Sequence, residues 1–271
     1  MNSVRYFVYG NIWIAFSITC FVACTYIGST IPLDYAYLIL CFGASLFTYN
    51  FQRIIKKADL AKAEDERGVW LYNHIKELKY LSIIGIIICA SVVNFVSFEA
   101  ILSLVLLSLI SLLYAGNFLK GHSLRDIPQL KIYLIAFSWA ITAVIPYLTL
   151  NTLISYSDWF MLITEKFLFI VALTIPFDIR DLHIDDSEKK TLAQILGVKQ
   201  SKTLAIVLLG IALFLVDHLY LQILPYLITY TIVAALILLQ KKERNEMYYS
   251  FILDGIPVLL LLGLILGKNL V

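Results

Sequence analysis

The sequence predicts an all-α, polytopic membrane protein: nine transmembrane helices in one bundle, N-terminus in the cytosol and C-terminus outside. Three observations predict it. Of 271 residues, 61% are hydrophobic and 15% charged, with a mean hydropathy of +0.85, whereas soluble domains carry roughly 45–50% apolar and about 25% charged residues. Nine apolar stretches approach the ~20 residues that a helix needs to cross a hydrocarbon core about 30 Å thick. Finally, 19 of the 21 basic residues fall at alternate span ends and so gather on one face, the bias that marks the cytosolic side.

The stretches are 6–27, 34–53, 80–97, 100–117, 131–150, 160–178, 202–217, 219–239 and 248–267. The first, preceded by Arg5, reads as a retained helix, because a cleavable signal has a shorter apolar core and a small-residue cleavage site. The second closes on Thr48-Tyr49-Asn50 and leads into a long cytosolic segment, 54–79. That segment reads helical through Arg53–Gly68, and Val69-Trp70-Leu71-Tyr72 then suggests an interfacial aromatic anchor. Only Phe98-Glu99 separates the third and fourth stretches, so they form a tight hairpin. A cytosolic loop over 118–130 carries Lys120 and Arg125, and Leu130-Lys131 opens the fifth helix.

The sixth helix ends in an acidic run and is followed by a second long cytosolic segment, 179–201. Ordered loops of such length tend to be functional. The seventh and eighth helices meet near Asp217-His218, and a short cytosolic connection, 240–247, precedes the ninth. The outer face receives only Lys166 and Lys268 among basic residues, beside Asp34, Glu99, Asp158 and Asp217. Spans and short connections consume the chain, so residues 1–271 read as a single transmembrane domain. The expected location is the bacterial cytoplasmic membrane, with membrane lipids as surroundings. Nothing points to nucleic acid, and no protein partner is legible.

Most metal and redox chemistry is set aside at once. Cys20, Cys24, Cys41 and Cys89 lie inside apolar runs and read as small core residues. The four histidines are scattered, without the spacing of a zinc site. The sharpest local signal is Asp178-Ile-Arg-Asp181-Leu-His-Ile-Asp185-Asp186. Continued as a helix, Asp178, Asp181 and Asp185 sit at about 0°, 300° and 340°, sharing one narrow face while Arg180 and His183 point elsewhere. Three carboxylates so close raise one another's pKa unless a cation neutralises them, and oxygen-only ligands suit Mg²⁺. Spacing alone leaves two readings open, a cation site or a solvated acidic helix end.

The same run resembles the second aspartate motif of the UbiA superfamily of membrane prenyltransferases. Asp178-Ile-Arg-Asp181-Leu-His-Ile-Asp185 is followed, as in that family, by a basic residue with Thr-Leu and then Leu-Gly-Val, here Lys190-Thr191-Leu192 and Leu196-Gly197-Val198. Tyr114, Lys120, Leu124-Arg125 and Leu130-Lys131 are similar to the family's middle cytosolic loop. The resemblance implies a UbiA-like bundle whose aspartate motifs hold Mg²⁺ against an isoprenyl diphosphate. It implies metal ligation by Asp178, Asp181 and Asp185, with Asp181 and Asp185 catalytic, and diphosphate contacts from Asn50, Tyr114, Lys120, Arg125 and Lys190. The implied reaction transfers the isoprenyl group to a lipophilic acceptor such as an aromatic ring.

The first motif departs from the family pattern. Asn50 is present, but Ile54 and Ala58 stand where the family carries carboxylates. At about 180° from Asn50, Asp59 faces away if the helix continues, while Arg53 and Lys57 come to about 300° and 340°. Two readings follow: cationic side chains that grip phosphate directly, or topology-setting charges beside a decayed motif. Asp254, about two turns into the ninth helix, is a further candidate, because a carboxylate at that depth needs a polar partner. Two alternatives to a transferase stand beside it. One is a membrane terpene cyclase of the same fold; the other is a non-catalytic isoprenoid- or lipid-binding relative that lost its first metal motif.

Overall fold

The computed structural model describes residues 3–115, 127, 130–149, 155–183, 191–220, 222–240 and 244–268, which are helical with short connections and hold no strand. Two compact units are distinguishable, and each is described by itself.

The first unit comprises Met1–Cys20, Asp34–Leu124 and Glu246–Gly255. Its helices are α1 (Ser3–Tyr9), the first part of α2 (Ile12–Gly28), α3 (Tyr35–Ile55), α4 (Lys57–Leu60), α5 (Glu66–Asn73), α6 (Ile75–Val92) and α7 (Phe98–Ala115). The expected single first helix is bent by 59° between α1 and α2. Asn11 sits there at φ 61°, a left-handed conformation that asparagine tolerates better than most residues. The core of the unit is the pair α3 and α6. They cross where a Cβ on Gly85 would lie 2.7 Å from the Gly43 carbonyl oxygen and 2.8 Å from the Phe47 nitrogen. Small residues allow such backbone contact in the absence of a hydrophobic drive between helices in lipid.

Helix α3 does not continue through 53–68 as expected. It stops at Ile55; Lys56 (φ −85°, ψ 19°) breaks the helix, and Asp65 starts α5 by accepting from the Gly68 amide. An aspartate in extended conformation satisfies amides that a longer helix would have bonded internally. Trp70 on α5 packs edge-on against Tyr6 and Tyr9 of α1. The expected ninth helix is also interrupted: Tyr248–Leu253 is a π-helical turn, and Asp254 lies at the break before the next helix. Trp13 Nε1 donates to the Phe251 carbonyl at 2.9 Å, and Ser17 donates to the Asp254 carbonyl. Side chains of α2 thus satisfy carbonyls that the break frees.

The second unit comprises Phe21–Leu33, Arg125–Asn245 and Ile256–Val271. It holds α8 (Leu130–Thr149), α9 (Tyr156–Arg180), α10 (Leu192–Leu219), α11 (Ile223–Leu239) and α12 (Ile256–Lys268). Helix α9 is its centre, packed on α8 and α10. Lys166 is fully buried on α9 beside an equally buried Glu165. The seventh stretch begins earlier than expected, because Thr191 and Gln194 form a reciprocal capping box that starts α10. Gly197 then breaks α10 at φ 76°, ψ 165°. The Leu-Gly-Val run needs its glycine there, since L side chains rarely adopt that conformation.

Helices Tyr35–Ile55, Ile75–Phe95, Tyr156–Arg180, Leu192–Leu219 and Tyr248–Gly267 are long and apolar enough to cross a membrane. The bent pair α1 and α2, counted as one span, would be a sixth, and the apolar stretches of α7, α8 and α11 are shorter.

Candidate functional site

Asp178 occupies the last turn of α9 and is 2% exposed. The helix ends at Arg180, and Asp181–His183 continue as a 3₁₀ turn. The Asp181 amide still donates to the Phe177 carbonyl, so its side chain leaves the chain at the end of the α-helical path, in reach of the same neighbours as Asp178. Lys131, in the first turn of α8, reaches both acids: its Nζ lies 3.4 Å from Asp178 Oδ1 and 3.0 Å from Asp181 Oδ2. Arg180 Nε donates to Asp181 Oδ1 at 2.7 Å, with its guanidinium 5.4 Å from the Phe177 ring. The expectation that Arg180 points elsewhere is therefore corrected. The two residues are adjacent in sequence, and the long Arg180 side chain folds over the helix end to reach its neighbour's carboxylate.

The electrostatics follow from this geometry. Burial alone would push the Asp181 carboxyl up, but the Lys131 ammonium and the Arg180 guanidinium outweigh it and hold the group down at about 2. Two carboxylates and two cations thus form a locally neutral, partly buried cluster. Among the described residues no group of three or more His, Cys, Asp or Glu side chains is arranged to hold a metal ion. Asp178 and Asp181 nonetheless supply the oxygen donors that Mg²⁺ takes, and that ion is commonly held by one or two carboxylates plus substrate phosphates. Of the other expected site residues, Lys120, Arg125, Asp185 and Lys190 lie outside the described residues.

The first unit carries a second polar cluster, around Asn50. That side chain is fully buried. Its amide donates to the Gly10 carbonyl at 3.1 Å and the Leu46 carbonyl at 2.9 Å, and its oxygen accepts from Asn11 Nδ2 at 3.1 Å. Asn50 thereby binds up the break between α1 and α2. Asn11 in turn accepts from Arg67 Nη2 at 3.5 Å, and Arg67 Nη1 donates to Ser250 Oγ at 3.0 Å and lies 3.3 Å from Glu246 Oε1.

Of the first-motif cations, only Lys57 departs from its helical phase. Arg53 is half-buried on the last turn of α3, whereas Lys57 opens α4 beyond the break and is exposed. Tyr114 on α7 lies beneath the Lys56 ammonium, 5.8 Å from the ring centre. Helix α3 itself is joined to α7 by Gln52 Nε2 donating to Ser111 Oγ at 2.7 Å. Asp254 is half-buried at the end of the π turn.

Sequence reasoning missed Arg67 and Glu246, whose pairing spans a separation that no local pattern signals. It took Lys131 only as part of a loop motif. Glu165 and Lys166 were detectable, since an acidic and a basic residue side by side in an apolar run mark a site deserving a partner.

No protein-family model matches the sequence, and no curated protein matches it. Solved structures do. A UbiA homologue from Archaeoglobus fulgidus bound to DMAPP and Mg²⁺ aligns over 98% of this chain and 100% of its own, at 11% identity and a TM-score of 0.64. A UbiA homologue from Aeropyrum pernix K1, in its apo form, aligns over 94% and 98%, at 16% identity and 0.64. A structure of digeranylgeranylglyceryl phosphate synthase covers 100% of both chains at 18% identity and 0.59. From end to end, the chain has the fold of the UbiA homologues.

Proposed function

We propose that this protein is a UbiA-type prenyltransferase that takes an isoprenyl diphosphate at the cytosolic face and passes the isoprenyl group to a lipophilic acceptor. The observation that carries the reading is the Asp178/Asp181/Lys131/Arg180 cluster at the end of α9. A structure sharing the fold over almost the whole chain was solved with DMAPP and Mg²⁺, which supports the substrate kind and the metal. The proposed topology is nine spans with a cytosolic N-terminus, in the bacterial cytoplasmic membrane. Each of the nine apolar stretches corresponds to a helix or a broken helix pair.

Mg²⁺, held by Asp178 and Asp181 with Asp185 as a third candidate, would neutralise charge developing on the departing diphosphate. The chain's own residues do the rest. Lys131 and Arg180 hold the Asp181 carboxylate ionised before any ligand arrives, Lys131 also orients Asp178, and Lys131 would turn an ammonium proton toward a phosphate oxygen. Lys120, Arg125 and Lys190 would add positive charge on the same cytosolic side, and Tyr114 a hydroxyl. Asn50 acts through position, by fixing the α1–α2 break. The apolar helices shield an allylic cation from water.

A non-catalytic lipid-binding role is the second reading. It is favoured by Ile54 and Ala58 at the first-motif positions and by an acidic pair already neutralised by Lys131. The deciding experiment incubates the purified protein with radiolabelled isoprenyl diphosphates of several lengths, with and without Mg²⁺. Metal-dependent diphosphate release that disappears in Asp181→Ala supports the transferase. Release without any added acceptor, yielding a cyclic hydrocarbon, identifies a cyclase. No release with any length supports the non-catalytic reading.

A further inference from the structure

The second unit contains an ion pair that the proposed reaction does not use. Glu165 and Lys166 are adjacent on α9, and both side chains are 0% exposed. Lys166 Nζ lies 3.0 Å from Glu165 Oε2, and Glu165 Oε1 accepts from the Tyr230 hydroxyl of α11. The ammonium also faces three aromatic rings, Phe21 of α2 at 5.1 Å, Tyr220 at 5.3 Å and Tyr226 of α11 at 5.6 Å. The cage is itself braced: Phe169 stacks on both Phe21 and Tyr230, and Tyr220 stacks on Tyr226. Each ion has a counter-charge, and the positive ion also has π faces, which desolvated surroundings strengthen.

Two charges in an apolar interior are a costly way to gain stability, and their best-attested use is to specify register. Helix α9 has reason to need it. Between the pair and Asp178 its buried positions are Phe169, Ile170, Val171, Ala172, Leu173, Ile175 and Pro176, so apolar contacts on every side distinguish poorly between neighbouring settings. A slip of one residue displaces every side chain by about 1.5 Å and 100°. It would withdraw Lys166 from its cage and shift Asp178 and Asp181 away from Lys131, roughly 20 Å along the helix.

We propose that the Glu165–Lys166 pair is a register lock for α9 that positions Asp178 and Asp181. It grips α2 and α11, while the Lys131 contacts grip α8 at the other end, and only one setting of the helix satisfies both. Glu165 and Lys166 are positioning residues, acting through the rigid helix. Their effect on ligand binding rests on the transferase reading of the aspartate cluster; their effect on the helix does not.

The test uses the full-length protein in detergent. Lys166→Met alone leaves Glu165 buried without its counter-charge and is expected to misfold, so the informative variant is Glu165→Leu/Lys166→Leu. It is expected to melt close to wild type, since apolar replacement of a buried pair is often tolerated, yet to raise amide exchange at 178–183 by about an order of magnitude. Its affinity for Mg²⁺-pyrophosphate should fall by about 10- to 100-fold, while Lys166→Arg keeps both properties near wild type. Wild-type exchange at 178–183 in the double variant overturns the lock. A wild-type protein that binds no pyrophosphate overturns the reading of the aspartate cluster instead and leaves the exchange result to judge the lock.

Discussion

The Lys131 ammonium lies 3.0 Å from the Asp181 carboxylate, joining the first turn of α8 to the end of α9. It provides at the helix end the neutralising cation that a cluster of acids requires. Because this pair lowers the folded pKa of Asp181 to about 2, its stabilising effect is fully present above the ordinary carboxylate range and is lost as pH falls through the folded value. Thermal melting of the wild type should stay flat from about pH 8 to about pH 5 and drop only in stronger acid. In Lys131→Met, burial is opposed by Arg180 alone, so the drop should begin at higher pH. Identical pH profiles for the two proteins would refute the pairing.

The crossing of α3 and α6 leaves no room for a side chain at Gly85. An added Cβ would meet the Gly43 oxygen at 2.7 Å and the Phe47 nitrogen at 2.8 Å, both backbone atoms that cannot turn aside. Gly85→Ala should cost about 1–3 kcal/mol by forcing the helices apart. A melting temperature equal to wild type would show that the two backbones are not in contact.

Gly197 tests a different physical cause. Nothing lies within 4 Å of its added Cβ, but its φ is +76°. Gly197→Ala should therefore destabilise by about 1–3 kcal/mol through backbone strain alone. Gly210, equally open but helical, is the control: Gly210→Ala should be neutral or stabilising by up to about 1 kcal/mol. Equal effects of the two substitutions would remove the argument from conformation.

Arg67 and Glu246 are mostly buried, at 15% and 17% side-chain exposure, and share Ser250. Either single neutralisation, Arg67→Met or Glu246→Gln, should cost about 2 kcal/mol by stranding the other charge. The double variant should cost clearly less than the two together. Strict additivity in a double-mutant cycle would mean that the pair does not interact.

The sequence alone determined the features that depend on composition and local pattern. The membrane class, the apolar stretches and the acidic helix end at Asp178 and Asp181 all follow from runs of neighbouring residues, and the all-helical class follows from the bilayer's demand that backbone groups be satisfied within a segment. Helical phase was reliable only while the helix continued. It fails for Lys57, which lies beyond the break after Ile55, and it does not reveal that the Arg180 side chain folds over to Asp181.

Only the tertiary structure decided which charges meet. Lys131 with Asp181, Arg67 with Glu246, and Lys166 with rings from α2 and α11 are separated in sequence by whole helices. It also showed that Asn50 is occupied in closing a helix break and that Lys166 is buried beside Glu165 among aromatic rings. The physical reason is common to all of these. An apolar helix is compatible with many depths and rotations in lipid, and its setting is chosen by the buried polar and aromatic partners that packing brings to it.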